Sequence, residues 1–345
     1  MALTRDAQRT WLDQVPEAAI DPERPIVDPH HHLWRGVAGD ALPPYLLEDL
    51  WDDTGSGHRI VQTVFMECGA EYADDGPAHL RCVGETAFVA GLAARSEGSG
   101  RTEIAGIVAH ADLTTDAALL DETLDAHAEA AGGRFRGIRQ GGAHDATGTA
   151  GWLNATDDPE LYARPAFRAG VARLGARGLS YDTWHYHPQN AGFRDLAVAV
   201  PDTQLVLDHF GSPIRVGAYA GDDAGAFAAW KADMVAIAAC PNVAVKLGGL
   251  AMPPNGFGWH ERERPASSDE LVAAQRDYYL HMIDCFGPER CMFESNFPVD
   301  KLSLSYAVYW NAMKKLAAEF SAAEQDALFA GTARRVYRLP EPHGA

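Results

Sequence analysis

Thiol pairs, basic stretches, long apolar runs and phosphate-binding glycine motifs are all missing from this chain of 345 residues. Its five cysteines, Cys68, Cys82, Cys240, Cys285 and Cys291, are scattered and form no CxxC pair. That excludes a disulfide framework and a thiolate zinc site, and leaves them as small buried hydrophobes. Cations are outnumbered, with 29 Lys+Arg against 48 Asp+Glu and a formal charge of −19. No basic run exists to hold nucleic acid or an anionic membrane surface, so neither is an expected partner. No apolar stretch approaches the roughly 18 residues that would span a bilayer. The opening segment carries charges where a secretory signal needs its apolar core, so the expected location is cytoplasmic. Nothing matches GxGxxG or GxxxxGK[ST] after a strand, and a nucleotide cofactor is not expected. What remains is a chain that is 47% hydrophobic, as a globular protein is, and carries 14 histidines.

Short apolar or β-branched runs recur along it, each followed by a helical stretch. Eight read as strands: Ile26–Asp28, Val61–Glu67, Ile104–Ala109, Phe135–Arg139, Gly178–Asp182, Gln204–Asp208, Val243–Leu247 and Arg290–Glu294. The intervening helices have legible ends. Ala117–Ala131 stops at a Gly-Gly pair, and Ala224–Ala239 puts Phe227, Trp230, Met234 and Ile237 on one face before Pro241. Ser267-x-x-Glu270 and Ser321-x-x-Glu324 are capping boxes that open two more. Strands alternating with helices must pair in parallel, because a parallel pair needs a crossover. Eight such units fit a closed (β/α)8 TIM barrel of the α/β class better than an open sheet. No linker or charge break interrupts residues 1–345, so a single domain is expected, with 1–25 as an N-terminal extension and the barrel over about 26–340. The long segments Leu33–Arg59, Gln140–Pro165 and Gly248–Ser267 follow strand ends and would build the active face. Within the last, Met252–Trp259 reads either as a substrate-covering loop or as an irregular surface loop.

Chemistry concentrates at those strand ends. In VDPHHHLW (Val27–Trp34), an extended backbone would turn Asp28, His30 and His32 to one side and His31 to the other. Two imidazoles so placed can grip a divalent metal or orient an ester carbonyl. Arg139, ending the fourth strand, suits an anionic substrate, because a guanidinium grips a carboxylate through two parallel bonds; its other reading is an ion pair. Lys246 lies in an otherwise apolar strand, where an ammonium needs a carboxylate or a pocket, and parity leaves open whether it or Val245 faces inward. Glu67 poses the same question on the second strand. Trp184 and Tyr186 are expected to wall the pocket. Asp208, beside His209, would orient the imidazole or pair with an arginine.

Taken together, these segments resemble the amidohydrolase superfamily, in the branch of lactonase-like TIM-barrel hydrolases. DxHxHxW at the first strand is similar to the family's opening motif. GIVAHADL, FRGIRQG, YDTWHYHPQ, LVLDHFGSP, NVAVKLGGL and CMFESNFPVD then resemble its third to eighth strands in order, and LFAGTARRVYRL its closing helix. The resemblance implies chemistry at the C-terminal face of the barrel. Carried over, His30 and His32 are the metal-binding HxH pair, His209 is the strand-six histidine, and His187 is a candidate strand-five counterpart. The eighth strand departs from the usual FGSDWP and is similar to a branch carrying ESNFPVD: Asn296 stands where an aspartate is usual. An amide is no general base and a poor metal ligand. Glu294, two residues earlier, or Asp300, just past the strand, would supply the missing carboxylate.

The expected function is hydrolysis of a lactone or related carboxylic ester carrying a carboxylate or hydroxyls. Arg139, Trp184, Tyr186, His187, Lys246 and Glu67 would bind the substrate, and His30, His32, His209, Glu294, Asn296 and Asp300 would carry the reaction. Where a metal takes part, Zn²⁺ or Mn²⁺ on His30 and His32 is expected, although Asn296 counts against it and some lactonases of the resembled branch work without metal. The alternatives are amide hydrolysis, non-oxidative decarboxylation of an aromatic acid, or a barrel that binds a small molecule without turnover. A homodimer is the assembly that the family resemblance carries.

Overall fold

The computed structural model of the protein describes residues 4–36 and 42–342. Eight strands follow the order in which the chain makes them: β1 (Ile26–His31), β2 (Ile60–Met66), β3 (Glu103–Ala109), β4 (Phe135–Arg139), β5 (Ser180–Thr183), β6 (Leu205–Leu207), β7 (Val243–Leu247) and β8 (Cys291–Phe293). Every neighbouring pair is parallel, and helices lie between the strands, as in a (β/α)8 barrel. The eight expected strands are all present, two of them with their boundaries unchanged. β1 runs on to His31 because residues past Asp28 still find partners, His31 pairing with Phe65 of β2 and bridging Phe297.

The sheet closes through a seam just beyond β8. The His32 amide donates to the Phe297 carbonyl at 2.8 Å, and the Asn296 amide to that of His30 at 3.1 Å. Asp28 ties the seam from the helix side, accepting from the Ser295 amide at 2.9 Å, from its hydroxyl, and from the Tyr306 hydroxyl at 2.8 Å. Asp28 therefore does not share a face with His30. The β1–β2 register shifts between Asp28 and His31, and this irregularity breaks the simple alternation.

Helix ends match their signals. Ser267 caps Ser268–Phe286 with Glu270 returning the bond, and Trp230, Met234 and Ile237 are buried on Asp223–Ala238. The segment 33–59 holds a helix, Leu47–Thr54, that was read as loop; its residues 37–41 lie outside the described residues. Met252, Asn255 and Trp259 are buried, so the 252–259 loop is packed onto the barrel. Among the described residues no helix is long and apolar enough to cross a membrane.

Period-2 alternation divides the strand residues between two cores. Ile138, Tyr181, Leu205, Val245 and Phe293 pack outward under the helices. Val27, Val64, Met66, Val108, Val206, Ala244 and Met292 fill the interior, together with Ala333, Val336 and Tyr337 from the short helix Thr332–Tyr337. That helix closes the N-terminal end of the barrel, where Gln62 donates to the Pro340 carbonyl at 3.0 Å. With Val245 outside, Lys246 faces inward. Its ammonium, fully buried, sits 2.9 Å from Asp182 Oδ2 and 3.1 Å from Asp208 Oδ1. Tyr337 donates its hydroxyl to the same Asp182 oxygen and lays its ring 5.4 Å from the ammonium. Burial opposes the charge on Lys246, but Asp182, Asp208 and Glu294 outweigh it and raise its pKa. Lys246→Met would leave two carboxylates buried without their cation. We expect a loss of about 3–5 kcal/mol in denaturant unfolding, with the double variant Lys246→Met/Asp182→Asn losing less than the sum of the singles. A loss under about 1 kcal/mol would mean that the ammonium does not hold the barrel interior together.

Candidate active site

The C-terminal ends of the strands bring His30, His32, Glu67, Arg139, Asp208, His209 and Glu294 into one linked group. Glu294 is its centre. It follows β8 with the parity of Met292, so it points into the barrel and is fully buried. Its Oε2 lies 2.7 Å from His30 Nδ1, and its Oε1 lies 2.7 Å from His209 Nδ1. Burial pushes the Glu294 carboxyl up to about 8, against the pull of Lys246. Burial likewise holds His209 down at about 3 and His30 and His32 well below the ordinary imidazole value.

The bonds assign the protons. His32 Nδ1 is 2.9 Å from the Met66 carbonyl, which only accepts, so Nδ1 carries the hydrogen and Nε2 a lone pair. His30 Nε2 faces that lone pair at 3.2 Å. With Glu294 protonated, His30 Nε2 can donate to His32 Nε2 and His32 Nδ1 to Met66, while Glu294 Oε2 stands 2.7 Å from His30 Nδ1 with no hydrogen bond formed there. With Glu294 ionised, a hydrogen on His30 Nδ1 would face the carboxylate, and two lone pairs would then face each other across the 3.2 Å between His30 and His32. The Arg139 Nη1, 3.4 Å from His30 Nε2, is the nearby donor that then meets them.

Arg139 is already engaged. Its Nε donates to Glu67 Oε1 at 2.8 Å, its Nη2 to the Glu67 carbonyl, and its Nη1 lies 3.6 Å from Asp208 Oδ2. The ion-pair reading of Arg139 is the one present, with Glu67 and Asp208 both sharing in it. A free guanidinium for an anionic substrate is absent from this position. Lys246 lies beneath His30, 3.4 Å from Nδ1 and wholly buried, a layer below any position where a substrate would sit. Without Glu294, three carboxylates (Glu67, Asp182, Asp208) surround these two cations, which leaves the interior short of positive charge.

The backbone is shaped to fit. His209, Phe210 and Asn296 take left-handed φ of 53°, 61° and 56°, a conformation that costs non-glycine residues about 1–3 kcal/mol each and clusters at functional sites. A Cβ on Gly249, itself at φ 77°, would stand 2.2 Å from His209 Nδ1, and one on Gly248 2.0 Å from the Glu294 carbonyl oxygen. The double glycine in VKLGGL is therefore the room into which His209 and Glu294 pack.

Other expected residues sit apart. Asn296 donates to Asp300 Oδ1 at 3.0 Å, and burial pushes Asp300 up to about 8. Tyr186 gives its hydroxyl to the Leu153 carbonyl at 2.7 Å. His187 lies in a tight turn after β5, where its Nδ1 accepts from the Ile214 amide at 3.1 Å. It is thus not placed as a strand-five ligand. By alternation from Asp182, Trp184 is the residue that turns inward there, and its indole N–H is buried without a partner. Asp182 and Tyr337 were not anticipated. An aspartate two residues before an inward tryptophan on a four-residue strand was the available signal for the first.

The donors suit a divalent metal. His30, His209 and Glu294 each offer an atom, and these lie within 4.8 Å of one another. Hard and borderline donors of this kind are those of zinc hydrolases. Ionised Glu294 would raise the local excess to four carboxylates over two cations, which a divalent ion would balance. This grouping takes His30 but replaces the expected His32 with His209 and Glu294.

Comparison with known proteins places this geometry in a lineage. The family model described as amidohydrolase matches residues 27–339. An uncharacterised protein of Sinorhizobium fredii is 34% identical over 91% of this chain and 98% of its own length. An L-fucono-1,5-lactonase of Burkholderia multivorans is 31% identical over 92% of this chain and 98% of its own. A crystal structure of an amidohydrolase from Burkholderia multivorans with bound zinc superposes with a TM-score of 0.72 at 28% identity, over 92% of this chain and all of that one. With its lactonase-like motifs, HxH pair and parallel barrel, this chain belongs to the amidohydrolase family and is a hydrolase.

Proposed function

We propose that the protein hydrolyses a lactone, and that Glu294 with His209 is the base that activates water. One observation carries this: a buried carboxyl bridges two imidazoles at 2.7 Å each and holds its proton up to about 8. Such a pKa, matched to the working pH, is what general base catalysis asks for. In the ionised form, Glu294 Oε1 accepts from His209 Nδ1, which leaves His209 Nε2 with the lone pair. Water gives its proton to Nε2 as its oxygen attacks the ring carbonyl, and the Nδ1 proton passes to Glu294. The carbonyl oxygen gains negative charge as the tetrahedral centre forms, and Arg139 Nη1, held near His30, is the donor closest to meet it. When the ring C–O bond breaks, the same proton returns through His209 to the leaving alkoxide.

Lactone rather than amide is supported by the relative named for L-fucono-1,5-lactone and by the poverty of free positive charge. With Arg139 and Lys246 both paired to carboxylates, a neutral cyclic ester fits better than an acidic substrate. A divalent ion held by His30, His209 and Glu294 would polarise the carbonyl and acidify bound water, in place of the relay.

Proton release from a panel of neutral sugar lactones, pyrone lactones and matched amides tests the substrate class. No turnover of any lactone beside turnover of an amide would overturn the reading. For the base, kcat/KM should rise about tenfold per pH unit below about 8 and level off above it, since only ionised Glu294 can accept the proton. Glu294→Gln should lower kcat by about 10²-fold or more at every pH; a profile flat below 8 would remove Glu294 from the role. Hydrolysis that survives chelation leaves the relay as the activating device. Activity lost to chelator and restored by Zn²⁺ or Mn²⁺ puts the ion on His30, His209 and Glu294.

A further inference from the structure

Among the histidines to which neither the motif reading nor the relay gives a role, one stands at a strand end beside the site. His110 is the first residue past β3. By the alternation that puts Val108 inside the barrel, it leaves the strand toward the axis. Its Nδ1 lies 3.2 Å from the Arg139 carbonyl oxygen. A carbonyl only accepts, so Nδ1 carries the ring hydrogen and Nε2 keeps its lone pair. The His110 carbonyl in turn accepts from His127 Nε2 at 2.8 Å, which pins the backbone.

The ring is 31% exposed, whereas His30, His32 and His209 are 0%, 4% and 3% exposed. His110 thus offers a partly exposed acceptor one side chain outward from the histidine cluster, since Arg139 meets His110 through its carbonyl and His30 through its guanidinium. The Tyr72 ring, 36% exposed, lies 6.3 Å from the imidazole and gives an apolar wall beside the acceptor. Glu67 Oε2, 4.0 Å from Nδ1, makes the spot unfavourable for an anion.

We propose that His110 is a specificity-determining residue: its Nε2 accepts a hydrogen bond from a hydroxyl of a neutral, hydroxylated substrate ring whose C–H face lies on Tyr72. This rests on the lactone reading for the reacting end of the substrate and adds a requirement at the other end. A single acceptor selects for a hydroxyl because its loss strands a polar group on one partner.

The experiment compares wild type, His110→Phe and His110→Gln, the last carrying an amide oxygen at the reach of Nε2. Each is assayed on a hydroxylated sugar lactone and its deoxy counterparts, and by calorimetry with the corresponding aldonolactam, a neutral ring that is not hydrolysed. His110→Phe should raise KM for the hydroxylated lactone about three- to tenfold with kcat little changed. It should leave one deoxy lactone unaffected and weaken lactam binding by the same factor, and His110→Gln should restore most of the loss. Equal effects on hydroxylated and all deoxy lactones, a change confined to kcat, or unchanged lactam binding would overturn the assignment. Absence of lactam binding by the wild type would overturn it too. Lactam binding that weakens in His110→Phe while no lactone is hydrolysed would keep His110 as the hydroxyl acceptor and discard the lactonase reading instead.

Discussion

A lysine ammonium with no access to water sits on the axis of this barrel, and much of the site follows from keeping it charged. Lys246 is compatible with the interior only because Asp182 and Asp208 reach it from the two preceding strands. Asp208 then reaches Arg139, and Arg139 reaches Glu67, so charge alternates from the barrel floor to its rim. His30 rests on this column and is kept neutral by it, burial first and the nearby cations second. An imidazole kept neutral in this way keeps a lone pair for a hydrogen-bond donor or a metal to use.

Glu294 turns that column into a device with two states. Its proton neutralises the carboxyl 2.7 Å from His30, whose ring is linked through His32 to a carbonyl, and its absence leaves a buried negative charge in want of a cation. Proton and divalent ion are thus competitors for one position. Asn296 is turned to Asp300, and the carboxylate that lies against the histidines is Glu294, two residues earlier.

The eight strands, the capping boxes and the candidacy of His30, His209 and Glu294 could be read from the chain, because each rests on local periodicity or on a short motif; that these three meet could not. The face of Asp28 could not. Alternation failed at a register shift that depends on what β2 offers opposite it. The partners of Arg139 and Asp182 were hidden for another reason: Glu67 is 72 residues from Arg139, and Tyr337 is 155 from Asp182. No window along the chain shows such pairs. His187 was a candidate strand-five counterpart because it is a histidine in the resembling motif, but it stands past the end of β5, in a turn against Ile214. His110 stood in a quoted motif unremarked, since a single histidine among apolar residues is usually a satisfied neighbour of the core.

The helix Thr332–Tyr337 comes after every strand, yet it fills the floor of the barrel and supplies the hydroxyl that Asp182 holds. Until it arrives, a ribosome-bound chain with all eight strands made still has an open barrel floor and a lysine–aspartate pair exposed to water from below. Closure of the floor is therefore deferred until residues 332–337 have been made. A chain released short of residue 332 would have most of its secondary structure and lack the layer beneath Lys246, on which His30 rests.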